Sequence, residues 1–211
     1  MLRAMILSFV GKSGDQDIIN EAKKCFDRHI AGDLIDPNIR EAVYAVVSRY
    51  GDENTQEELR KLYTVADMTE EKVRLLSAMG QSLKPEIIVN TLKFTFEGDN
   101  VRMQDSFYGL IGCTSSRDGR DLVWKFIQKN RKILAERFGE KSSYLVRFVE
   151  MGLSNFADEK IADEIKSFFD SMNTPIITRP VKKVLETIHM HSEVLKRDSK
   201  AIEEFLKQQQ Q

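Results

Sequence analysis

The chain has 211 residues, 41% of them hydrophobic and 31% charged, so it is long enough to bury a core beneath amphipathic segments. Its 32 basic and 33 acidic residues give a formal net charge of -1, which weighs against a nucleic-acid-binding protein because phosphate neutralisation needs a basic excess. No stretch approaches the roughly 18 apolar residues that span a bilayer. With only 11 glycines and 4 prolines, the composition favours long helices joined by short turns.

Helix start and stop signals recur along the whole chain. The opening residues, 1–7, form too short an apolar run for a signal peptide and look like a helix already under way, as expected of a piece of a longer chain. Residues 92–97 alternate like a strand, but without a second strand nearby to pair with they are predicted to end a helix. After the opening segment, helices are predicted over residues 15–30, 37–50, 54–66, 69–79, 85–92, 101–113, 118–138, 142–153, 158–172, 180–190 and 195–207.

About a dozen helices with short connections predict an all-α fold. Short links make sequence neighbours antiparallel, and stacked helix pairs bury their apolar faces more readily than one large bundle does. We therefore expect a superhelical α-solenoid of antiparallel pairs, similar to HEAT or armadillo repeats with no strict period. Residues 1–207 are expected to form this domain, and the four glutamines at 208–211 a disordered tail.

The histidines do not predict a metal site. A catalytic zinc ion usually has three protein ligands, and the chain has only three histidines, His29, His189 and His191, and no HExxH motif. His189 and His191 are two residues apart on a predicted helix, about 200° around its axis, so they cannot bind one ion together. The expectation is that this chain holds no metal or other cofactor and no catalytic residue.

The two cysteines, Cys25 and Cys113, lie within apolar helical patterns and are expected to be buried free thiols, which fits a reducing cytoplasm. Cys25 and His29 share a helix face, which leaves Cys/His catalysis open. Because Cys25 belongs to the apolar stripe, a buried thiol beside a boundary histidine is the favoured interpretation.

A polar segment precedes one of the predicted core helices. Arg102 and Asp105, three residues apart, are expected to form an ion pair on one face. That pair either stabilises helix packing or belongs to a polar cluster lining a concave surface. Further on, Trp124 is expected to anchor the core, and Arg120, near a helix start, to tether a loop.

Four stretches, taken in order, resemble motifs of the gluzincin zinc aminopeptidases. Residues 36–44 are similar to D-L-R-x-x-V-Y, 66–74 to A-D-x-x-E-E-K-x-R, 101–105 to V-R-x-Q-D and 119–126 to G-R-x-x-A-W-x-F. Each motif alone is weak, but the ordered set covers nearly the whole chain. The chain thus resembles the C-terminal, HEAT-like domain of that family, and residues 195–198 resemble its puromycin-sensitive branch in particular.

The resemblance implies a role in a larger enzyme. In this family the zinc ion and its HExxH ligands lie in a preceding catalytic domain, and the C-terminal domain encloses and regulates access to the substrate cavity. This implies a cytoplasmic aminopeptidase that removes N-terminal residues from peptides. The partners would be the catalytic domain of the same chain and peptide substrates, not nucleic acid or membrane. A free-standing helical-repeat scaffold for a protein partner is the alternative.

The resemblance also suggests which residues contact peptide. In some relatives a basic residue on an inner loop grips the substrate, and that loop corresponds to residues 139–144 here. The relatives' arginine falls on Ser143, with Lys141 nearby as a possible substitute. The predicted substrate-binding residues are Arg102, Gln104, Lys141, Ser143 and Tyr144, and Asp105, Arg120 and Trp124 are predicted to be structural.

Overall fold

The computed structural model describes residues 2–139, 142–172 and 174–209, and every regular element within them is an α-helix, which confirms the predicted all-α class. The described part of the chain contains no helix with the length and apolar character needed to cross a membrane. In chain order the helices are α1 (Leu2–Lys12), α2 (Gln16–Ile30), α3 (Arg40–Tyr50), α4 (Glu53–Val65), α5 (Thr69–Met79), α6 (Pro85–Phe96), α7 (Ser106–Cys113), α8 (Arg117–Lys129), α9 (Arg131–Phe138), α10 (Ser143–Leu153), α11 (Glu159–Asp170) and α12 (Pro175–Gln209).

The chain divides into two compact units, residues 1–133 and 134–211. In the first unit α1 packs on α3, α3 on α5 and α5 on α7, so these four helices form one layer. A second row packs on this layer, with α2 on α3, α4 on α5 and α6 on α7, and α8 packs on α6. The core lies between the two rows, and its largest fully buried side chains include Tyr44, Leu59, Leu75, Leu76, Met79, Ile88 and Leu92.

Side-chain caps fix where several of these helices begin. The carboxylate of Asp15 accepts from the Ile18 amide at 2.9 Å, and the hydroxyl of Ser116 accepts from the Gly119 amide at 3.0 Å. Each bond satisfies one of the amides that the first turn of a helix leaves unpaired, and such a cap stabilises a helix by about 1 kcal/mol. The predicted start at Asp15 and end near Gly32 are therefore confirmed.

Two glycines set the close contact between α5 and α7. A Cβ added at Gly80 would lie 2.4 Å from the Cys113 nitrogen, and one at Gly112 would lie 2.2 Å from the Ser77 carbonyl oxygen. Both clashes are with backbone, which cannot rotate aside as a side chain can. Only glycine allows the two helices to approach so closely, and the contact places the end of α7 beside that of α5.

In the second unit α10 and α11 both pack on α12. Their common core includes Leu153, Ile165, Val184 and Ile188, all fully buried. α12 is 35 residues long and contains Pro180 in its interior. From residue 193 onward nearly every residue of α12 is exposed, so the end of this helix extends beyond its packing partners.

Several predicted boundaries were wrong. The helix expected from Pro37 begins at Arg40, because Asp36 instead forms a turn in which its carboxylate accepts from the Asn38 amide at 2.9 Å. Likewise, residues 101–105 form turns, and α7 begins only at Ser106. The single helix predicted over 118–138 is two, α8 and α9, divided at Asn130, whose amide side chain bonds to the Phe126 carbonyl at 3.0 Å.

The two last predicted helices, 180–190 and 195–207, are one continuous helix, α12. No strong breaker separates them, so the apolar pattern and the backbone run on through residues 191–194. The expected helical end at 92–97 is confirmed, since α6 continues to Phe96. The solenoid architecture, the single domain over 1–207 and the tail at 208–211 stay predictions, and residues 210–211 lie outside the described residues.

Candidate functional site

The starts of α3, α5 and α7 lie at the same edge of the first layer. The Arg40 guanidinium at the start of α3 pairs with Glu71 in the first turn of α5 at 3.3 Å. The Arg102 guanidinium, just before α7, donates to the Thr69 hydroxyl at the start of α5 at 3.2 Å. The three helices therefore run in the same direction, and their amino-terminal ends form one polar edge.

A polar network lies behind this edge and consists of His29, Arg40, Tyr44, Glu71 and Arg74. The Tyr44 hydroxyl donates to Glu71 Oε1 at 2.8 Å and lies 2.7 Å from His29 Nε2. Glu71 Oε2 pairs with the guanidinium groups of Arg40 and Arg74. The network thus joins α2, α3 and α5 through hydrogen bonds and ion pairs between buried or half-buried side chains.

Burial governs the protonation of this network. Desolvation lowers the pKa of His29, and the positive charge of Arg40 lowers it further. Desolvation raises the pKa of Tyr44 well above its usual value, and the hydrogen bond that its hydroxyl donates to Glu71 adds to the effect. His29 is therefore neutral and Tyr44 protonated near neutral pH. Neither side chain is accessible to act as a catalytic acid or base, since Tyr44 is fully buried and His29 nearly so.

Arg102 and Asp105 form the predicted ion pair, with Arg102 Nε donating to Asp105 Oδ2 at 2.7 Å. Asp105 is buried, whereas the Arg102 side chain is 55% exposed. Asp105 also acts on its surroundings, since its charge adds to the effect of burial in raising the pKa of Tyr63. The bonds to Asp105 and Thr69 use Nε and Nη2 of Arg102.

The other predicted contact residues lie in different places. Gln104 is exposed in the turn before α7, close in sequence to Arg102. Ser143 is exposed at the first position of α10, and Tyr144 is half-buried, with its amide bonded to the Ser142 hydroxyl at 3.0 Å. Lys141 lies outside the described residues. A substrate-binding role for any of these five residues stays a prediction.

The residues predicted to be structural lie on or near the core. Trp124 on α8 is 3% exposed, as expected of a core anchor. Arg120, one turn after the Ser116 cap, is half-buried, and its backbone amide donates to the Ser116 carbonyl at 3.1 Å. Its expected role in tethering a loop stays a prediction.

The predicted environments of Cys25 and His29 are exchanged in the structure. Cys25 is half-exposed, with its sulfur 3.4 Å from Arg28 Nη2, whereas His29 is buried. Both ring nitrogens of His29 bond elsewhere, to Tyr44 and to the Ile35 amide, so it is not positioned to activate the thiol. Cys113 is fully buried, as predicted, and burial raises the pKa of its thiol.

The remaining histidines are engaged singly rather than as a metal centre. His189 pairs with Glu159 at 2.5 Å, and His191 Nδ1 bonds to the Phe156 carbonyl oxygen at 3.1 Å. Among the residues that the structure describes, no group of three histidine, cysteine or carboxylate side chains is arranged to hold a metal ion. Each described histidine is therefore occupied by a different partner, and none is paired with a second histidine as a zinc ligand would be.

The sequence analysis did not predict the buried network, although four of its five residues lie in stretches that it singled out. Arg40 and Tyr44 belong to the stretch 36–44, and Glu71 and Arg74 belong to the stretch 66–74, the first two motifs of the resemblance. The usable signal was a tyrosine at a core-facing position of α3 together with a glutamate and arginine three residues apart on α5. His29 gave no such signal, because pairing it with Tyr44 requires knowledge of how α2 packs on α3.

A family model described as the ERAP1-like C-terminal domain matches residues 1–190. The chain belongs to this family. The match covers the whole first unit with its polar edge, and in the second unit it extends into α12. The predicted family is therefore confirmed, and the four motif-like stretches between residues 36 and 126 lie within the matched residues.

The curated relatives are aminopeptidases much longer than this chain. Aminopeptidase M1 of Arabidopsis thaliana is 31% identical over 199 residues, which are 91% of this chain and 22% of that protein. Puromycin-sensitive aminopeptidase of Caenorhabditis elegans is 27% identical over 99% of this chain and 23% of its own length, and glutamyl aminopeptidase of Mus musculus is 28% identical over 97% and 22%. This ERAP1-like C-terminal domain thus spans less than a quarter of the relatives it matches.

Proposed function

We propose that this chain is the substrate-enclosing, regulatory C-terminal domain of a cytosolic zinc aminopeptidase, which removes N-terminal residues from peptides. The observation that carries the proposal is the family match over residues 1–190 combined with relatives that are named aminopeptidases and extend far beyond the matched part. In this proposal the catalytic domain of the same longer chain is the principal partner, and this chain alone does not catalyse hydrolysis.

The chemistry of the side chains supports placing the zinc ion elsewhere in the longer protein. The sequence has no HExxH motif, and the described histidines bond to a tyrosine, a carboxylate and a backbone carbonyl rather than to one another. A zinc ion bound in the catalytic domain would polarise a water molecule and the carbonyl group of the peptide bond that is hydrolysed. The free state of both cysteines fits a reducing cytosol.

The proposal assigns Arg102 and Gln104 to contact with the peptide. Arg102 is held by Asp105 and Thr69 yet remains more than half exposed, so its orientation is fixed before a ligand arrives. Gln104 is exposed next to it and offers an amide to a peptide backbone. Ser143, Tyr144 and Lys141 are proposed as further contacts from the second unit.

The test compares this chain alone with the longer protein that contains it, using a fluorogenic aminoacyl amide and zinc. We expect turnover by the longer protein that a chelator removes and added zinc restores, and none by the chain alone. Turnover by the repurified chain that resists a chelator would contradict the proposal. An upstream coding region without HExxH would also contradict it and would favour the free-standing scaffold.

The enclosing role is tested in the longer protein with two substrates of different length. Replacing Arg102 and Gln104 by alanine is expected to raise KM for a peptide of several residues and to leave KM for the small aminoacyl amide unchanged. The matched control is Lys23→Ala, an exposed residue on α2 away from the polar edge. Equal effects of the double variant on both substrates would show that these residues do not contact the distal part of a peptide.

A further inference from the structure

The last part of α12 carries an apolar stripe on its exposed surface. α12 packs on α10 and α11. Within the described ranges, Lys196 is the last residue of α12 with an ion pair to another helix, to Glu159 of α11 at 3.8 Å. Every residue from 199 to 209 is exposed. The large apolar side chains that this part of α12 leaves exposed form the stripe, and they are Val194, Leu195, Ile202, Phe205 and Leu206.

The stripe continues the line along which α12 packs in the second unit. Side chains seven residues apart on a helix lie nearly one above another. One such line begins in the core of the second unit and ends in the stripe, at Val181, Ile188, Leu195 and Ile202. A second line, three residues further on, has Val184 in the core and Phe205 in the stripe, with His191 and Asp198 between them. Two helices pack along a shared seam by this seven-residue pattern, so the exposed end of α12 has the surface of a helix that pairs with another.

The stripe lies beyond the part of the chain that the family model matches. That match ends at residue 190, whereas the stripe begins at Val194. Residues 193–209 span about 25 Å as a helix, and a contiguous exposed apolar surface marks an interaction site. The stripe is therefore expected to have an occupant, and a helix with a stripe of its own is the shape that fits it.

The charges beside the stripe have opposite signs toward its two ends. Lys196 and Glu203 are seven residues apart and lie along one side of the stripe, and Arg197 and Glu204 lie along the other. In an antiparallel pair of identical helices, equivalent positions lie on the same side of the seam, because a two-fold axis relates the two copies. Lys196 of one copy then faces Glu203 of the other, and Arg197 faces Glu204, so each attraction occurs twice.

These four charges are available for such pairing. Each of them now pairs with an exposed neighbour on α12 itself, and surface pairs of this kind contribute little stability. The same register, centred on residue 200, packs Leu195 of one copy beside Phe205 of the other. A parallel pair would instead bring Lys196 beside Arg197 and Glu203 beside Glu204, which places like charges together.

We propose that the exposed end of α12 binds the same segment of a second copy of this chain as an antiparallel helix pair. The apolar stripe forms the seam, and the pairs of Lys196 with Glu203 and of Arg197 with Glu204 fix the direction. Asp198 is a polar residue within the seam, and such a residue restricts the number of registers at some cost in stability. The proposal does not depend on the aminopeptidase role, because it uses only residues of α12.

Association is measured by sedimentation velocity on the 211-residue chain at concentrations of about 1 to 500 µM. The chain is expected to change from one copy toward two as the concentration rises. Ile202→Glu places a charge in the seam and is expected to weaken association at least about tenfold. Because Ile202 is exposed in the single chain, the variant is expected to stay folded, which circular dichroism checks.

The matched control is Phe9→Glu, which alters a large exposed side chain on α1 and is expected to leave association unchanged. A chain that stays single at the highest concentration would overturn the proposal. Association that Phe9→Glu removes and Ile202→Glu does not would place the contact on α1 and would overturn it equally.

Charge reversal tests the direction of the pair. One variant carries Lys196→Glu and Arg197→Glu, and the other carries Glu203→Lys and Glu204→Lys. Each alone is expected to associate at least about tenfold more weakly than the original chain, because like charges then face each other. An equal mixture of the two is expected to associate as tightly as the original chain, because every facing pair is again of opposite sign.

Two results of the mixing experiment would contradict the antiparallel pair. A mixture that stays as weakly associated as its components would show that these charges do not face one another. A mixture that associates much more tightly than the original chain would show that the helices run parallel, since only in a parallel pair does the original chain hold like charges together.

Discussion

Tyr44 and Glu71 are joined by a 2.8 Å hydrogen bond that the tyrosine hydroxyl donates across the α3–α5 contact. With its hydrogen directed at Glu71, the Tyr44 oxygen accepts from His29 Nε2, 2.7 Å away. His29 Nδ1 in turn accepts from the Ile35 amide at 3.4 Å. The network therefore has a single consistent arrangement of protons, with a neutral His29 protonated at Nε2, and its loss affects three helices at once.

Replacing Tyr44 by phenylalanine is expected to lower the free energy of unfolding by about 1–3 kcal/mol. The substitution removes only the hydroxyl, but it leaves His29 Nε2 and one oxygen of Glu71 without their partner in a buried setting. Urea unfolding followed by circular dichroism measures the change. The control is Tyr108→Phe on the exposed face of α7, which is expected to change the free energy by less than about 0.5 kcal/mol. Equal effects of the two variants would show that the network does not stabilise the fold.

His29 is expected to make stability depend on pH in one direction. Burial and Arg40 lower its pKa below the ordinary 6.5, so the folded chain binds the proton less readily than the unfolded chain. The contribution of neutral His29 to the free energy of unfolding is fully present above pH 6.5. It is lost as the pH falls below 6.5 toward the pKa of His29 in the folded state.

The measurement for His29 is urea unfolding of the chain and of His29→Gln between pH 5.5 and 8. The free-energy difference between the two is expected to be constant above pH 7 and to shrink as the pH falls. An NMR titration assigns the pKa of His29 directly. A pKa above 6.5, or a difference that grows on acidification, would contradict the buried neutral imidazole.

Most helices could be predicted from the sequence because their signals are local. Asp15 as a cap, Gly51 and Gly80 as ends and Pro85 as a first helical residue each act within one turn of the chain. The errors arose where two local signals competed. Asp36 forms a turn of its own rather than a cap, and the apolar pattern across Asn130 hid the interruption between α8 and α9.

The candidate site was harder to predict because it depends on contacts between distant residues. Arg102 and Asp105 are three residues apart, and their pair was predicted and is present. Tyr44 and Glu71 are 27 residues apart, and Tyr44 and His29 are 15 apart, so no periodicity within one helix brings them together. The exchange of environments between Cys25 and His29 has the same cause, since the position of α1 and α3 around α2 decides which face of α2 is buried.

The pair of Arg102 and Asp105 is expected to have a structural role that can be measured apart from any ligand. Arg102→Met leaves a carboxylate that is 5% exposed without its guanidinium, which is expected to lower the free energy of unfolding by about 1–3 kcal/mol. Adding Asp105→Asn removes the unpaired charge, so the double variant is expected to be more stable than Arg102→Met alone. Urea unfolding of the four chains of this cycle measures the coupling.

Gln104→Met is the control for this cycle, because Gln104 is exposed in the same turn. Its free energy of unfolding is expected to stay within about 0.5 kcal/mol of the original. Unchanged stability of Arg102→Met would show that the ion pair does not hold the turn, and would leave ligand contact as the role of Arg102.

The two cysteines are expected to differ sharply in reactivity although both are free. Cys25 is half-exposed on α2, whereas Cys113 is fully buried and burial raises the pKa of its thiol. Because the thiolate is the reactive form, iodoacetamide should modify Cys25 in the folded chain and reach Cys113 only on unfolding. Mass spectrometry of tryptic peptides before and after addition of urea measures both rates. Cys25→Ser should remain unmodified in buffer and gain a single label in urea, and equal rates at the two cysteines of the folded original chain would contradict the close packing of α7 against α5.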